Sequence, residues 1–350
     1  MPAHRPLTDL IPSRLPLIQA PMAGAQGSAL ALAVCAAGGV GSLPAAMLSP
    51  EALQAELNVL HMQASGPWNV NFFCHTPPQA DDQTEARWRQ ALRPFYDEAG
   101  IDPAQVPAGA GRVPFSHAVA DLVEPFAPPV VSFHFGLPTP DLLARVKSWG
   151  SRVLSSATTV QEALWLEAHG VDAVIAQGLE AGGHRGMFLS TDLTTQVGTL
   201  ALLPQVVAAV RLPVIAAGGI ADAAGVRAAM ALGAAGVQVG TAYLCCPEAS
   251  TSALHRAALM SDAAQHTALT TLFSGRPARG IVNRLMRELG ALNPAAPAFP
   301  LATAAVAPLR THFEALGRTD CTPLWAGQNA SACRAVSAMQ LTQELAHGLG

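Results

Sequence analysis

Two histidines and two amides carry the chemistry this sequence could perform. His134 ends an apolar run, Pro129-Val-Val-Ser-Phe-His-Phe-Gly136, and His184 sits in the glycine-dense stretch Gly178-Leu-Glu-Ala-Gly-Gly-His-Arg-Gly186. An imidazole at the rim of a core can exchange a proton near neutral pH, although a strand-end histidine bonded to backbone is the plainer alternative. Asn71 and Gln177 are amides at the ends of other apolar runs, and Gln238-Val-Gly-Thr241 ends the last. Amides suit the recognition of a polar ring. Gly182, Gly183, Gly218, Gly219 and Gly240 leave backbone N–H groups bare, as an anion such as a phosphate requires.

The elements that must position these groups alternate. Short apolar strands are expected at 15–20, 39–43, 68–73, 129–136, 152–155, 172–176, 212–219 and 236–241, with helical patterns between them. Ser49-Pro50-Glu51 supplies an N-cap, a proline at N1 and an early acid for one of these helices. Strands too apolar to alternate are covered on both faces and parallel, and roughly eight βα units over roughly 250 residues give a (β/α)₈ TIM barrel in the α/β class. The connection after the third strand is long, with helices at 84–99 and 116–126 around a proline- and glycine-rich break. Residues 247–322 hold helical patterns at 253–260, 262–272 and 280–289 and no convincing strand. We expect an inserted all-helical domain there, with residues 1–246 and 323–350 forming the barrel and 328–348 its last helix.

In such a barrel the chemistry lies at the C-terminal ends of the strands, and the loops after strands 7 and 8 commonly bind phosphate. Ala216-Ala-Gly-Gly-Ile220 and Gln238-Val-Gly-Thr241 are those loops. With Asn71, Gln177 and Gly182-Gly183 across the mouth, flavin mononucleotide (FMN) suits the set, and a phosphorylated sugar or another nucleotide remains open.

Composition excludes several classes. The chain has 350 residues, of which 50% are hydrophobic and 13% charged, and its formal net charge is -4. That argues for a compact fold acting on small molecules, with neither nucleic acid nor a membrane as partner. Met1 to Arg14 has no apolar core of signal-peptide length, and Ala29 to Leu48 is broken by glycines and Pro44. Six cysteines without a Cys-x-x-Cys pair suggest neither disulfides nor a zinc site, so a reducing cytoplasm is expected and no metal. Lys147 is the only lysine and lies in a helical pattern, which rules out a P-loop and disfavours a Schiff-base lysine.

Pro21-Met-Ala-Gly24, Val70-Asn-Phe72, Ser132-Phe-His-Phe-Gly136, the Gly178–Gly186 loop, Ala216-Ala-Gly-Gly219, Ala231-Leu-Gly-Ala-Ala-Gly-Val-Gln-Val-Gly-Thr241 and Pro323-Leu-Trp-Ala-Gly-Gln328 resemble, in order, the motifs of the nitronate monooxygenases. The resemblance implies a TIM barrel with an inserted helical domain, bound FMN, and oxygen-dependent conversion of alkyl nitronates to carbonyl compounds and nitrite. It assigns cofactor contacts to Met22, Asn71, Gln177, Gly182, Gly183, Gly218, Gly219, Gln238, Val239, Gly240 and Thr241, and the catalytic base to His134, with His184 a second candidate or a cap of its loop. Glu180 and Arg185 are expected to pair and brace that loop, and Trp325 to pack the insert on the barrel. The same loop resembles that of FMN-dependent enoyl-acyl-carrier-protein reductases, so a nicotinamide-driven reductase is the alternative enzyme. A non-catalytic flavin-binding barrel, lacking a base at strand 4, is the alternative of another class. The working unit is expected to be a monomer or small homo-oligomer.

Overall fold

The structure is a computed structural model and describes residues 6–106 and 112–349. The start of the N-terminal segment and the centre of the proline- and glycine-rich break lie outside the described residues.

Eight parallel strands form the barrel: β1 (Leu17–Gln19), β2 (Gly41–Pro44), β3 (Trp68–Phe73), β4 (Val130–His134), β5 (Arg152–Ala157), β6 (Ala173–Gln177), β8 (Val214–Ala217) and β9 (Gly236–Val239). Their order is β1-β9-β8-β6-β5-β4-β3-β2, and Val40 closes the ring by exchanging backbone hydrogen bonds with Leu17 and Gln19 of β1. β7 is the dipeptide Gly183–His184, outside the barrel, in the loop after β6. Helices stand between successive strands, and the cap residues act as their chemistry dictates. Ser49 accepts from the Ala52 amide at the helix Pro50–Gln63, and Asp222 accepts from Gly225 at Ala223–Ala231.

Side chains alternate along every strand. Val131, Val153, Val174, Val214, Val237 and Val239 point outward into the apolar layer beneath the helices. Ile18, Val130, Leu154, Ala173, Ile175 and Ile215 point inward and fill the barrel, with Leu7 and Ile11 of an N-terminal turn joining them. The floor is therefore apolar and sealed. Further along β3, β4, β5, β6 and β9 polar inward residues follow, Asn71, Ser132, Ser156, Gln177 and Gln238, which places the site at the C-terminal ends.

The insert differs from the sequence expectation in one respect that matters for the site. It is not all-helical: β10 (Thr267–Thr270) and β11 (Ala278–Ile281) pair antiparallel, and β11 pairs with β7. The helical patterns expected at 262–272 and 280–289 shrink to a short 3₁₀ turn, Asp262–Gln265, and a helix, Arg284–Leu289. Apolar runs this short carry no decisive period, and pairing with β7 decides them as strands. A helix at Ala302–Ala315 was not expected, and the last helix is confined to Ala338–Ala346. Trp88, Phe95 and Tyr96, from the long connection after β3, share one apolar cluster with Leu272, Leu309 and Phe313 of the insert. No described helix is long and apolar enough to cross a membrane.

Candidate active site

A cavity of about 500 Å³ opens at the C-terminal ends of the barrel strands. Met22, Asn71, His134, Gln177, Gly182, Gly183, His184, Gly218, Gly219, Gln238, Gly240 and Thr241 all line it. Val239 does not, because strand alternation turns its side chain into the layer beneath the helices while Gln238 and Gly240 on either side face inward.

His134 is held from both ring nitrogens. Its Nε2 lies 3.2 Å from the His184 carbonyl oxygen, which can only accept, so Nε2 carries the hydrogen and Nδ1 accepts from the Ser156 hydroxyl at 3.1 Å. Burial lowers its pKa to about 4, assisted by the charges of Arg276 and Arg185 and opposed by the His184 carbonyl bond. The ring is therefore neutral at pH 7. Gly186 passes so close that a Cβ there would lie 2.9 Å from both His134 Cε1 and Ser156 Cβ. Only glycine permits that approach.

The loop from Gly178 to Gly186 is braced by its own polar groups. The Gln177 amide nitrogen donates to the His184 carbonyl at 3.0 Å, and its oxygen accepts from Gly186 N–H at 2.7 Å. Glu180 and Arg185 both brace the loop but do not pair with each other. The Glu180 carboxylate takes the Thr199 amide and hydroxyl, while fully buried Arg185 donates to the carbonyls of Gly178 and Gln177 and to the Gln196 side chain. From the insert, β11 adds backbone pairing, and Arg279 donates to the Leu179 carbonyl at 2.9 Å.

His184 lies under an aromatic roof. Phe299 and Trp325 ring centroids stand 5.3 and 5.6 Å from its own, and Ser274 Oγ lies 2.8 Å from its Nε2. Burial holds its pKa well below the ordinary histidine value, with nearby cations adding to the shift. Trp325 both packs the insert against the barrel and lines the cavity. Sequence reasoning missed Ser132, Ser156, Arg112, Ser274 and Phe299. The two serines were findable: Ser132 lies two residues before His134 on β4, and Ser156 occupies the matching inward position on β5, where alternation aims side chains at the mouth. Arg112, Ser274 and Phe299 carry no such signal, since only the insert's docking brings them in.

The opposite end is glycine-lined. Gly218 and Gly219 turn through positive φ values of 116° and 71°, and Asn329 Nδ2 donates to the Gly219 carbonyl at 3.0 Å. Thr241 Oγ1 accepts from Gly327 N–H at 2.9 Å, so this hydroxyl fixes the neighbouring segment. Asn71 donates to the backbone and hydroxyl of Ser132. Gln238 Oε1 is buried with no hydrogen-bond partner. An orphaned acceptor in a cavity wall asks for a ligand N–H or O–H. Among the described residues no carboxylate lines the cavity, whereas Arg112 does, so its field favours an anion.

Fold and site together define a barrel enzyme with its chemistry at the strand C-termini, joining a glycine-lined end suited to phosphate to a histidine-bearing aromatic end. A family model for nitronate monooxygenases matches residues 4–348. The chain is 42% identical over 347 residues to the nitronate monooxygenase of Pseudomonas aeruginosa, covering 98% of each, and 41% identical to that of Paraburkholderia phytofirmans, covering 97% of this chain and 94% of the relative. A solved structure of nitroalkane oxidase from Streptomyces ansochromogenes superposes with a TM-score of 0.88 at 38% identity, covering 98% of this chain and 97% of that one. The chain belongs to the nitronate monooxygenase family.

Proposed function

We propose that this enzyme binds FMN and uses molecular oxygen to convert alkyl nitronates to carbonyl compounds and nitrite. The observation that carries the reading is a cavity, without a carboxylate among the described residues that line it, whose one wall holds an unsatisfied amide oxygen, Gln238 Oε1, and whose other holds a neutral histidine. The residues fit FMN: Gly218, Gly219, Gly240 and Thr241 can meet its phosphate through backbone, Gln238 Oε1 can accept from a ring N–H, and Met22, Asn71 and Gly182-Gly183 flank the space between. Bound there, FMN supplies the electron-accepting chemistry.

The protein's own part is orientation, exclusion of water and proton control. Arg112, Phe273 and Trp325 line the substrate end, and Ser156 keeps the lone pair of His134 Nδ1 directed. An imidazole with a pKa of about 4 is a weak base toward a carbon acid, so a pre-formed nitronate, which needs no deprotonation, is the favoured substrate. The free state of all six cysteines supports a reducing cytoplasm as the working compartment.

The test is to purify the protein, record its absorbance spectrum, and assay nitrite release from ethylnitronate in air. A flavin spectrum with oxygen-dependent nitrite release is expected. A colourless protein that cannot be reconstituted with FMN would overturn the reading, and rapid anaerobic bleaching by NADH would shift it to a reductase.

A further inference from the structure

Arg112 differs from the other described cation that lines the cavity. Arg310, the second arginine lining the cavity, is paired with Glu314 at 2.8 Å. Arg112 meets the Phe299 ring face, 5.4 Å from its centroid, and among the described residues no carboxylate pairs with it. It is positioned rather than loose. Its carbonyl oxygen accepts from His75 Nε2 at 2.9 Å, and three residues on, Phe115 N–H donates to the Phe73 carbonyl at the end of β3 at 2.9 Å. Its charge is close enough to His184 to disfavour protonation there. With both site histidines neutral, Arg112 is the one uncompensated full charge among the described residues lining the cavity, and it lies at the aromatic end rather than at the glycines. A guanidinium presents a planar fork of donors that matches the two oxygens of a nitronate or carboxylate.

We propose that Arg112 is a specificity residue that holds the anionic NO₂ group of the substrate beside His184, selecting the nitronate over the neutral nitroalkane. This rests on the nitronate reading above. The test uses FMN-loaded enzyme and the variants Arg112→Met and Arg112→Lys, comparing KM and kcat for ethylnitronate and nitroethane, with sodium nitrite binding measured by calorimetry. Losing a charge-assisted pair should raise the nitronate KM and the nitrite dissociation constant about ten- to a hundredfold in Arg112→Met, with partial recovery in Arg112→Lys. FMN content and the nitroethane KM should change little. Unaltered nitrite affinity, or an equal rise in KM for both substrates, would overturn the proposal and leave Arg112 a packing residue on Phe299. If Arg112→Met does not fold, the same comparison is made with Arg112→Lys, where a selective rise for the anions supports the proposal and an unselective one overturns it. A wild-type enzyme that releases no nitrite from nitronate, while nitrite binding still falls in the variants, would sink the nitronate reading and keep the anion site.

Discussion

At the scale of single residues, His134 is the decisive group, and its two bonds define what it can do. With Nε2 donating to backbone and Nδ1 accepting from Ser156, it has a lone pair to offer only at Nδ1, through or in place of the serine hydroxyl. If it removes the α-proton of a neutral nitroalkane, His134→Asn should lower that activity by ~10²–10⁴-fold while leaving much more of the activity on pre-formed nitronate. Steady-state rates on nitroethane and ethylnitronate decide it, and equal loss on both would make His134 a binding residue. Protonation also links to stability. Burial lowers both His134 and His255 to about 4, against an ordinary value of about 6.5 when unfolded. Between those values the unfolded chain binds more protons, so the contribution of both residues is fully present above about pH 6.5 and is lost as pH falls toward about 4. Urea midpoints at about pH 7.5, 6 and 5 should decline in that order. A flat series would mean that neither imidazole is buried as neutral.

Among the elements, the two glycine loops differ in how a substitution can be read. Gly219 has φ of 71°, so any side chain there strains the backbone, whereas at Gly240 a Cβ would lie 3.4 Å from Ala20 Cβ and 3.8 Å from Met22 Sδ, an ordinary contact. Gly240→Asp is therefore the cleaner probe. It places a carboxylate in the cavity with little backbone cost, and FMN affinity should fall by an order of magnitude or more if phosphate binds beside it. Equilibrium dialysis measures this, and unchanged affinity in a folded variant would put the phosphate elsewhere. The loop after β6 obeys a different constraint. A Cβ at Gly182 would lie 2.5 Å from Gly327 N, so that loop needs its glycine for backbone-to-backbone contact.

The whole molecule has two cores meeting at one cavity. The barrel supplies His134, Gln238 and the glycines, and the cluster around Trp88, Phe95 and Phe313 carries the insert whose Phe273 and Ser274 complete the cavity wall. Phe313 is fully buried against Phe95, so Phe313→Ala should destabilise the fold by about 3–5 kcal/mol. Because the loss falls in the second core, the nitronate KM should rise while FMN affinity holds. Parallel loss of both would show that the two cores are not separable. Urea titration and FMN titration of the same preparation make the comparison.

The barrel was legible because its cause is local. Apolar runs of strand length, glycine turns and capped helices recur along the chain, and parallel strands covered on both faces need no distant information to be recognised. His134, Gln177, Gln238 and the glycines were legible because a barrel sends strand ends to one rim. Val239 belongs to the same segment, but the two-residue period turns its side chain outward while those on either side of it face in. The strands β10 and β11 were not legible, since four-residue segments become strands only when β7 arrives from the loop after β6 to pair with them. Nor was the grouping of the helices Asp82–Ala91 and Arg93–Ala99 with the insert, which buries Trp88 and Tyr96 against residues some two hundred positions away. Arg112 belongs to the same class. A lone arginine in a loop has no signature until tertiary packing leaves it without a carboxylate partner among the described residues, and that is a property of the folded cavity.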